Sequence, residues 1–495
     1  MKKKYFLTID QGTSSTRAII YSRTFNQIAK YEVKLKKYFP HNGWVEEDPN
    51  EIWESVKTSI NKVINKAKIS SSDIISLAIT NQRETTVLWD KNTGKPIYNA
   101  IVWQDRRTSE YCNKINTGKL NKSIQKITGL IIDPYFSATK VKWIIDNINV
   151  AKTLHKKKRL LFGTIDTWII WKLTNGQSHL TDITNASRTM LFDINKNKWS
   201  EKLLKFFKIP KSILPKVKEN VSNFGFTNIL GNKISIGGVA GDQQAALIGQ
   251  ACFDKGMCKS TYGTGCFFLM NIGKKQKLSK NKLLTTIAYK IHGQKNYCLE
   301  GSIFVAGSSI QWLRDSLKII NSTSSSEKLY SKADKEQNVY LVPAFNGLGA
   351  PYWNSNVRGA IYGLTQNTGI AEIVKAAIQA VCYQTKDLVK SMEKDTGQKI
   401  NEIRVDGGMV NNISFLKFLS DILGIKIITS RYIESTALGA TFLAALHSGH
   451  IKDVKQIQKI WKKNKTYKSN ITTEDRKKLY IGWVNAIKKT IFLSD

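Results

Sequence analysis

Twice in this chain a short apolar run stops at a glycine–threonine turn and resumes as a second apolar run. The first instance is Phe6 to Ile9, then Asp10-Gln11-Gly12-Thr13-Ser14-Ser15, then Arg17 to Tyr21. The second is Thr261-Tyr262-Gly263-Thr264-Gly265 followed by Cys266 to Met270. Each reads as a β-hairpin whose glycine lets backbone N–H groups approach an anion, while Thr and Ser hydroxyls add donors. One such hairpin alone is an ordinary polar turn. Two of them, one per half, predict two related domains facing a cleft. At about 150 residues per domain, 495 residues leave room for two large ones. The expected division is 1–251 and 252–495. No Pro/Ser-rich linker marks it, so the halves are expected to touch closely and to move by a hinge.

Between the hairpins, β-type runs alternate with segments of helical period, which predicts an α/β fold. Ser76 to Thr80 and Ile236 to Ala240 read as strands, the second ending at Gly241-Asp242. Ile373 to Met392 spaces Val374, Ala377, Ile378, Val381, Leu388 and Met392 as one helical face. Ile403 to Val405 runs through Asp406 into Gly407-Gly408, with Asn411 and Asn412 opening a helix.

The hairpin residues carry chemistry. Thr13, Ser14, Ser15 and Thr264 are placed to bind phosphate. Asp10 at the strand end suits a divalent cation held through water. Arg17 on the return strand adds positive charge. Gly408 permits close approach of a flat ligand, and Asn412 can bond a nucleobase or ribose or simply cap the helix. The chain has no G-x-x-x-x-G-K-[ST], G-x-G-x-x-G or H-E-x-x-H motif, which argues against Walker-type NTPases, dinucleotide dehydrogenases and zinc proteases.

The composition suggests a different partner. Lys and Arg total 76 against 38 Asp and Glu, a net +38, the balance of a protein for nucleic acid or an anionic membrane. Yet only 12 of the 76 are Arg, the side chain best suited to bidentate recognition. The Lys is scattered, with short runs at Lys2-Lys3-Lys4, Lys156-Lys157-Lys158-Arg159 and Lys462-Lys463. The expectation is a solvated Lys-rich surface and no nucleic-acid partner. Six cysteines (Cys112, Cys252, Cys258, Cys266, Cys298, Cys382) form no C-x-x-C pair and are expected to be free thiols. The apolar stretch Tyr5 to Ile9 is too short for a signal-peptide core, and no run approaches the ~20 residues of a membrane span. A cytoplasmic protein is expected.

Further segments, in order along nearly the whole chain, establish a resemblance. The chain resembles the FGGY carbohydrate kinases through Asp10 to Arg17 and Gly241-Asp242-Gln243-Gln244. It does so also through Tyr262-Gly263-Thr264-Gly265-Cys266-Phe267, Gly347 to Trp353, and Tyr135 to Asn147 (YFSATKVKWIIDN). Gly43-Trp44-Val45-Glu46, Asn81-Gln82-Arg83-Glu84-Thr85 and Trp103-Gln104-Asp105-Arg106-Arg107 are similar to the members that phosphorylate glycerol. The resemblance implies two RNase H-like domains around an ATP cleft, as in the actin, heat-shock chaperone and sugar-kinase superfamily. It implies transfer of the ATP γ-phosphoryl group to glycerol, giving sn-glycerol 3-phosphate, with Asp242 as general base. Arg83, Glu84, Tyr135 and Gln243 are then expected to bond glycerol hydroxyls, and Trp103 and Phe267 to cover its carbon edge. Gly307 and Gln311 match nucleotide contacts, and Gly408 and Asn412 the adenosine side. Mg²⁺ is expected at Asp10, and a homodimer or homotetramer as the assembly. Three positions depart from the family pattern. The stretch 228–235 is short, with Lys233 its only cation, which argues against a sugar-bisphosphate feedback site. Gln366 and Glu372 replace residues that are basic or His elsewhere. The competing readings are a kinase for another polyol or ketose, and a chaperone-like ATPase indifferent to polyols.

Overall fold

A computed structural model describes residues 4–345, 347–354 and 356–493; Lys2 and Lys3 of the first lysine run lie outside them. Two large sheets organise the chain. The first contains β1 (Tyr5–Gln11), β2 (Ser15–Ser22), β3 (Gln27–Lys34), β4 (Ile74–Asn81), β5 (Phe226–Thr227) and β6 (Ile234–Gly241), in the order β5-β6-β4-β1-β2-β3. The second contains β7 (Cys258–Tyr262), β8 (Cys266–Gly273), β9 (Leu284–Ile291), β10 (Gln294–Ile303), β11 (Glu402–Asp406), β12 (Lys426–Ser430) and β13 (Lys463–Tyr467), in the order β9-β10-β8-β7-β11-β12-β13.

The two sheets share one plan. β1 pairs antiparallel with β2, which pairs antiparallel with β3, while β4 and then β6 add in parallel on the other side. β7, β8 and β10 repeat the antiparallel part, and β11 and β12 the parallel part. The hairpins expected from the two Gly-Thr turns are thus the first hairpin of each sheet. Alternation is weak in these strands because helices cover both faces; β1 is buried at six of its seven positions.

The helices that matter here are α1 (Pro49–Ala67), α2 (Ser137–Asn147), α3 (Asp242–Gly249), α4 (Gly307–Asp315), α5 (Ile370–Thr396), α6 (Ile413–Leu423) and α7 (Ser435–His447). α1 starts where Asp48 accepts from the Asn50 N–H and Pro49 supplies a pre-set φ, then buries Ile52, Val56, Ile60 and Val63 against β2 and β3. Each such side chain stabilises the fold by roughly 1.5–3 kcal/mol. α5 is longer than Ile373 to Met392. Glu372 begins it early, accepting from the Gly369 N–H through one oxygen and from the Asp334 N–H through the other. The carboxylate at this departure from the family pattern therefore starts a helix.

α3 and α7 tie the halves together. Gly249 lies against the Ser435 carbonyl and Gly439 against the Ala245 carbonyl, so closely that a Cβ would sit 1.9 and 1.8 Å from those oxygens. α7 also packs on the first sheet, where Thr441 and Thr8 share a buried 2.7 Å hydrogen bond. Gly237 and Gly238 serve this packing: a Cβ on either would strike His447 or the α7 backbone at Ala444. Their bareness therefore accommodates α7, and only Gly241 clears space beside Asp242. All six cysteines are free and buried. Among the described residues no helix is long and apolar enough to cross a membrane.

Candidate active site

The ends of β1, β4 and β6 and the β7–β8 hairpin converge on a cavity of about 230 Å³. Its wall carries Asp10, Thr13, Ser14, Ser15, Arg17, Arg83, Glu84, Trp103, Tyr135, Asp242, Gln243, Thr264 and Phe267. Gly263 and Thr264 also line a second cavity of about 450 Å³ with Gly307, Gln311, Gly408 and Asn412. Every residue expected from the sequence to meet glycerol, nucleotide or metal thus borders one of two adjoining spaces.

At the polar end, Arg83 and Glu84 are nearly inaccessible, 2% and 1% exposed, and they do not form a surface ion pair. Arg83 is held by Glu300 through two nitrogens at 2.6 and 3.0 Å, and its Nε stands 3.1 Å from Asp242 Oδ1. Glu84 accepts from Arg188 Nε at 2.6 Å, and Arg188 also reaches Glu300 at 3.0 Å. Burial would raise the Glu300 carboxyl, but Arg188 and Arg83 outweigh it and hold it at about 2. Glu84 goes the other way: burial raises it above the usual carboxylate range despite both arginines. Glu84 adopts φ 62°, in the left-handed region uncommon for a non-glycine residue.

Asp242 is the first residue of α3, where the helix dipole favours a carboxylate. Its Oδ1 takes Arg83 Nε and the Gln243 N–H, and neither of these contacts uses Oδ2. Gly241 is needed because a Cβ there would stand 2.7 Å from the Arg83 Cγ and Cδ. Gln243 presents its amide through Lys259, a buried ammonium that donates to Gln243 Oε1 at 2.6 Å and to Thr261 at 2.9 Å. Burial lowers the Lys259 pKa.

Three rings form the apolar wall. Trp103 meets Tyr135 edge-on at 5.6 Å and Phe267 at 5.9 Å, and the Arg83 guanidinium lies 5.7 Å from the Phe267 ring. Tyr135 is fixed from behind: buried Lys140 donates to the carbonyls of Pro134, Tyr135 and Phe136. Trp103 Nε1 donates to Thr13 Oγ1 at 2.9 Å, which leaves the Thr13 hydroxyl hydrogen free to donate onward.

The hairpins are drawn tight by their own backbones. Gly12 N–H bonds the Ser15 carbonyl, and Gly263 N–H the Gly265 carbonyl, both at 2.9 Å. The start of α4 packs on the second turn, with Gly307 N–H on the Gly263 carbonyl and room there for no Cβ. Asn412 caps α6 through Oδ1, donates its amide to Ser326, and still borders the larger cavity. Asp10, opposite Arg17 across the hairpin, is 8% exposed. Burial raises it to about 7 against the pull of Arg17, and the Glu434 and Asp242 charges push the same way.

Arg188, Glu300, Lys259, Lys140 and Lys37 were not singled out from the sequence. Glu300 alone left a signal, an acid inside the apolar run Tyr297 to Ile303.

A small cavity walled by charged side chains and rings, a carboxylate beside it and two Gly-Thr hairpins sharing one cleft are the arrangement of a two-domain kinase of the sugar-kinase fold. Residues 5–249 match the N-terminal domain and 258–448 the C-terminal domain of the FGGY family of carbohydrate kinases. The chain belongs to that family. It is 52% identical to glycerol kinase of Alteromonas mediterranea, over 98% of this chain and 99% of that protein. It is 49% identical to glycerol kinase of Fusobacterium nucleatum over the same shares. The crystal structure of Plasmodium falciparum glycerol kinase with ADP superposes with a TM-score of 0.90 at 39% identity, covering 99% of this chain and 98% of that one.

Proposed function

We propose that this chain transfers the γ-phosphoryl group of ATP to glycerol, with Asp242 as the general base. The observation that carries the reading is the place of Asp242, between the Arg83–Glu84–Trp103–Tyr135–Phe267 pocket and the Thr13 and Thr264 turns. The pocket suits a small polyol: charged groups for hydroxyls, rings for carbons. Relatives about 50% identical over nearly their full length are glycerol kinases.

A glycerol hydroxyl is a weak nucleophile, so its proton must leave as the new bond forms. The primary hydroxyl oxygen attacks the γ-phosphorus while Asp242 takes the proton. The bond from phosphorus to the β–γ bridging oxygen breaks, and ADP leaves with the electron pair. Arg83 and Glu84 orient the other hydroxyls, with Gln243 and Tyr135 beside them. Thr13, Ser14, Ser15 and Thr264 hold phosphates and Arg17 adds charge. Gly307, Gln311, Gly408 and Asn412 border the space for the nucleoside. Such transfers depend on positioning and charge neutralisation rather than covalent catalysis.

The residues fit a cation carried by the nucleotide. Asp10 is a buried carboxylate among other negative charges, and the described residues offer no cluster of three His, Cys, Asp or Glu to hold a metal alone. Mg²⁺ bound there supplies charge neutralisation at the phosphates. A division into halves at 1–251 and 252–495 and a homodimer or homotetramer are part of the same proposal, and sedimentation velocity measures the assembly directly. Coupled ADP release with glycerol, erythritol, xylulose and gluconate tests the substrate. Glycerol is expected to give the highest kcat/KM, and a pentose that outperforms it refutes the assignment.

A further inference from the structure

The two arginines on the wall of the active-site cavity are already committed to carboxylates. Arg83 faces Glu300 and Asp242, and Arg17 faces Asp10, Glu32 and Glu434. A triphosphate enters with several negative charges, and its transfer needs cations that are not already neutralised. One further cation borders the same cavity: Lys37, beside Gly12, Thr13, Ser14 and Ser15. It is half-buried in a chain rich in exposed lysines, and among the described residues its ammonium has no hydrogen bond or ion pair. Burial lowers its pKa, with Glu47 opposing.

The backbone holds Lys37 against the hairpin. Lys34 is paired with Ser15 across β3 and β2, and the Leu35 N–H bonds the Ser14 carbonyl at 3.0 Å. On the other side, Tyr38 and Glu46 exchange two 2.9 Å backbone hydrogen bonds. Two anchors flank Lys37 within three residues. Behind it lies Glu47, 1% exposed, with one oxygen on Gln82 at 2.7 Å and the other without a hydrogen-bond partner among the described residues. Gln82 also bonds Gln11, whose amide reaches the Gly12 carbonyl. Lys37 and the turn therefore rest on the same buried polar chain.

We propose that Lys37 is a catalytic residue whose ammonium contacts the γ-phosphoryl group from the first-hairpin side and follows it onto the product as it is transferred. The lysine stays protonated throughout; no bond to it forms or breaks. This deepens the glycerol-kinase reading and rests on it for the identity of the product.

The test compares wild type with Lys37→Gln and Lys37→Arg. By calorimetry without glycerol, wild type is expected to bind a non-hydrolysable ATP analogue more tightly than ADP. K37Q is expected to erase about tenfold of that preference, the loss of one charge-assisted contact, with ADP affinity unchanged. In turnover, K37Q is expected to lower kcat by about tenfold to a hundredfold and to weaken product inhibition by glycerol 3-phosphate similarly, with KM for glycerol held within about twofold. K37R is expected to restore most of both effects. An unchanged analogue-to-ADP ratio in K37Q overturns the proposal. So does a loss that falls equally on glycerol and ADP affinity and is not restored by K37R, since that marks a structural residue. The binding arm holds without glycerol turnover. A wild type inactive on glycerol therefore refutes the substrate assignment, while the analogue-to-ADP ratio still decides the role of Lys37.

Discussion

Arg83 Nε stands 3.1 Å from Asp242 Oδ1, with the rest of its guanidinium clamped by Glu300. One arginine therefore fixes one oxygen of the proposed base, and its own position is set by an acid on the second sheet. The site's chemistry depends on that buried chain of charges.

Glu300→Gln removes a counter-charge shared by Arg83 and Arg188, leaving Arg83 with Asp242 and Arg188 with Glu84. Leaving two buried cations short of a partner is expected to cost about 3–5 kcal/mol at neutral pH. The folded-state carboxyl is depressed from its usual 4.5 to about 2. Its stabilisation is therefore full above about pH 4.5 and is lost as pH falls toward 2. Urea midpoints are expected to show a constant gap between wild type and E300Q from about pH 7 to 5 that narrows below. A gap that is unchanged at about pH 3 contradicts this.

Gly241→Ala places a Cβ 2.7 Å from the Arg83 side chain. Overpacking of this kind costs about 1–3 kcal/mol and displaces Arg83 from Asp242. Steady-state assays are expected to show kcat/KM for glycerol down by about tenfold or more while ADP still binds normally. Wild-type kinetics in G241A means that the close approach is not needed.

Trp103→Phe keeps a ring over the polyol carbons but loses the 2.9 Å hydrogen bond to Thr13. The expected effect is a kcat about fivefold to tenfold lower, near 1 kcal/mol, with KM for glycerol little changed. Trp103→Ala is expected to raise KM as well. If W103F and W103A behave alike, the bond to Thr13 does not matter.

Lys259→Met leaves the Gln243 amide without the donor that orients it at 2.6 Å. A rise of several-fold in KM for glycerol, with KM for ATP unchanged, is expected from one misdirected hydrogen bond. Equal rises in both KM values would instead mark a general loss of structure.

The parts visible in the sequence were those whose logic is local. The Gly-Thr turns, the strand that stops at Asp242 and the long face of α5 each declare themselves within a few residues. The duplication followed because the same hairpin opens both sheets. Glu300 and Arg188 were hidden because their partners lie far off in the chain: 217 residues separate Arg83 from Glu300, and 104 separate Glu84 from Arg188. A lysine among 64 also carries no local mark, so Lys37 and Lys259 read as solvated charge until the fold enclosed them. Gly237 and Gly238 carry no local mark of their role either, since the helix they accommodate is about 200 residues downstream.

The most direct test of Asp242 as the base is single-turnover phosphoryl transfer by Asp242→Asn, with glycerol and nucleotide binding measured alongside. Asn keeps the shape and one acceptor oxygen but cannot take the proton. Transfer is expected to slow by about 10²- to 10⁴-fold while both ligands still bind within a few-fold of wild type. Transfer at a near-normal rate in D242N, with binding intact, would contradict the assignment of Asp242 as the base.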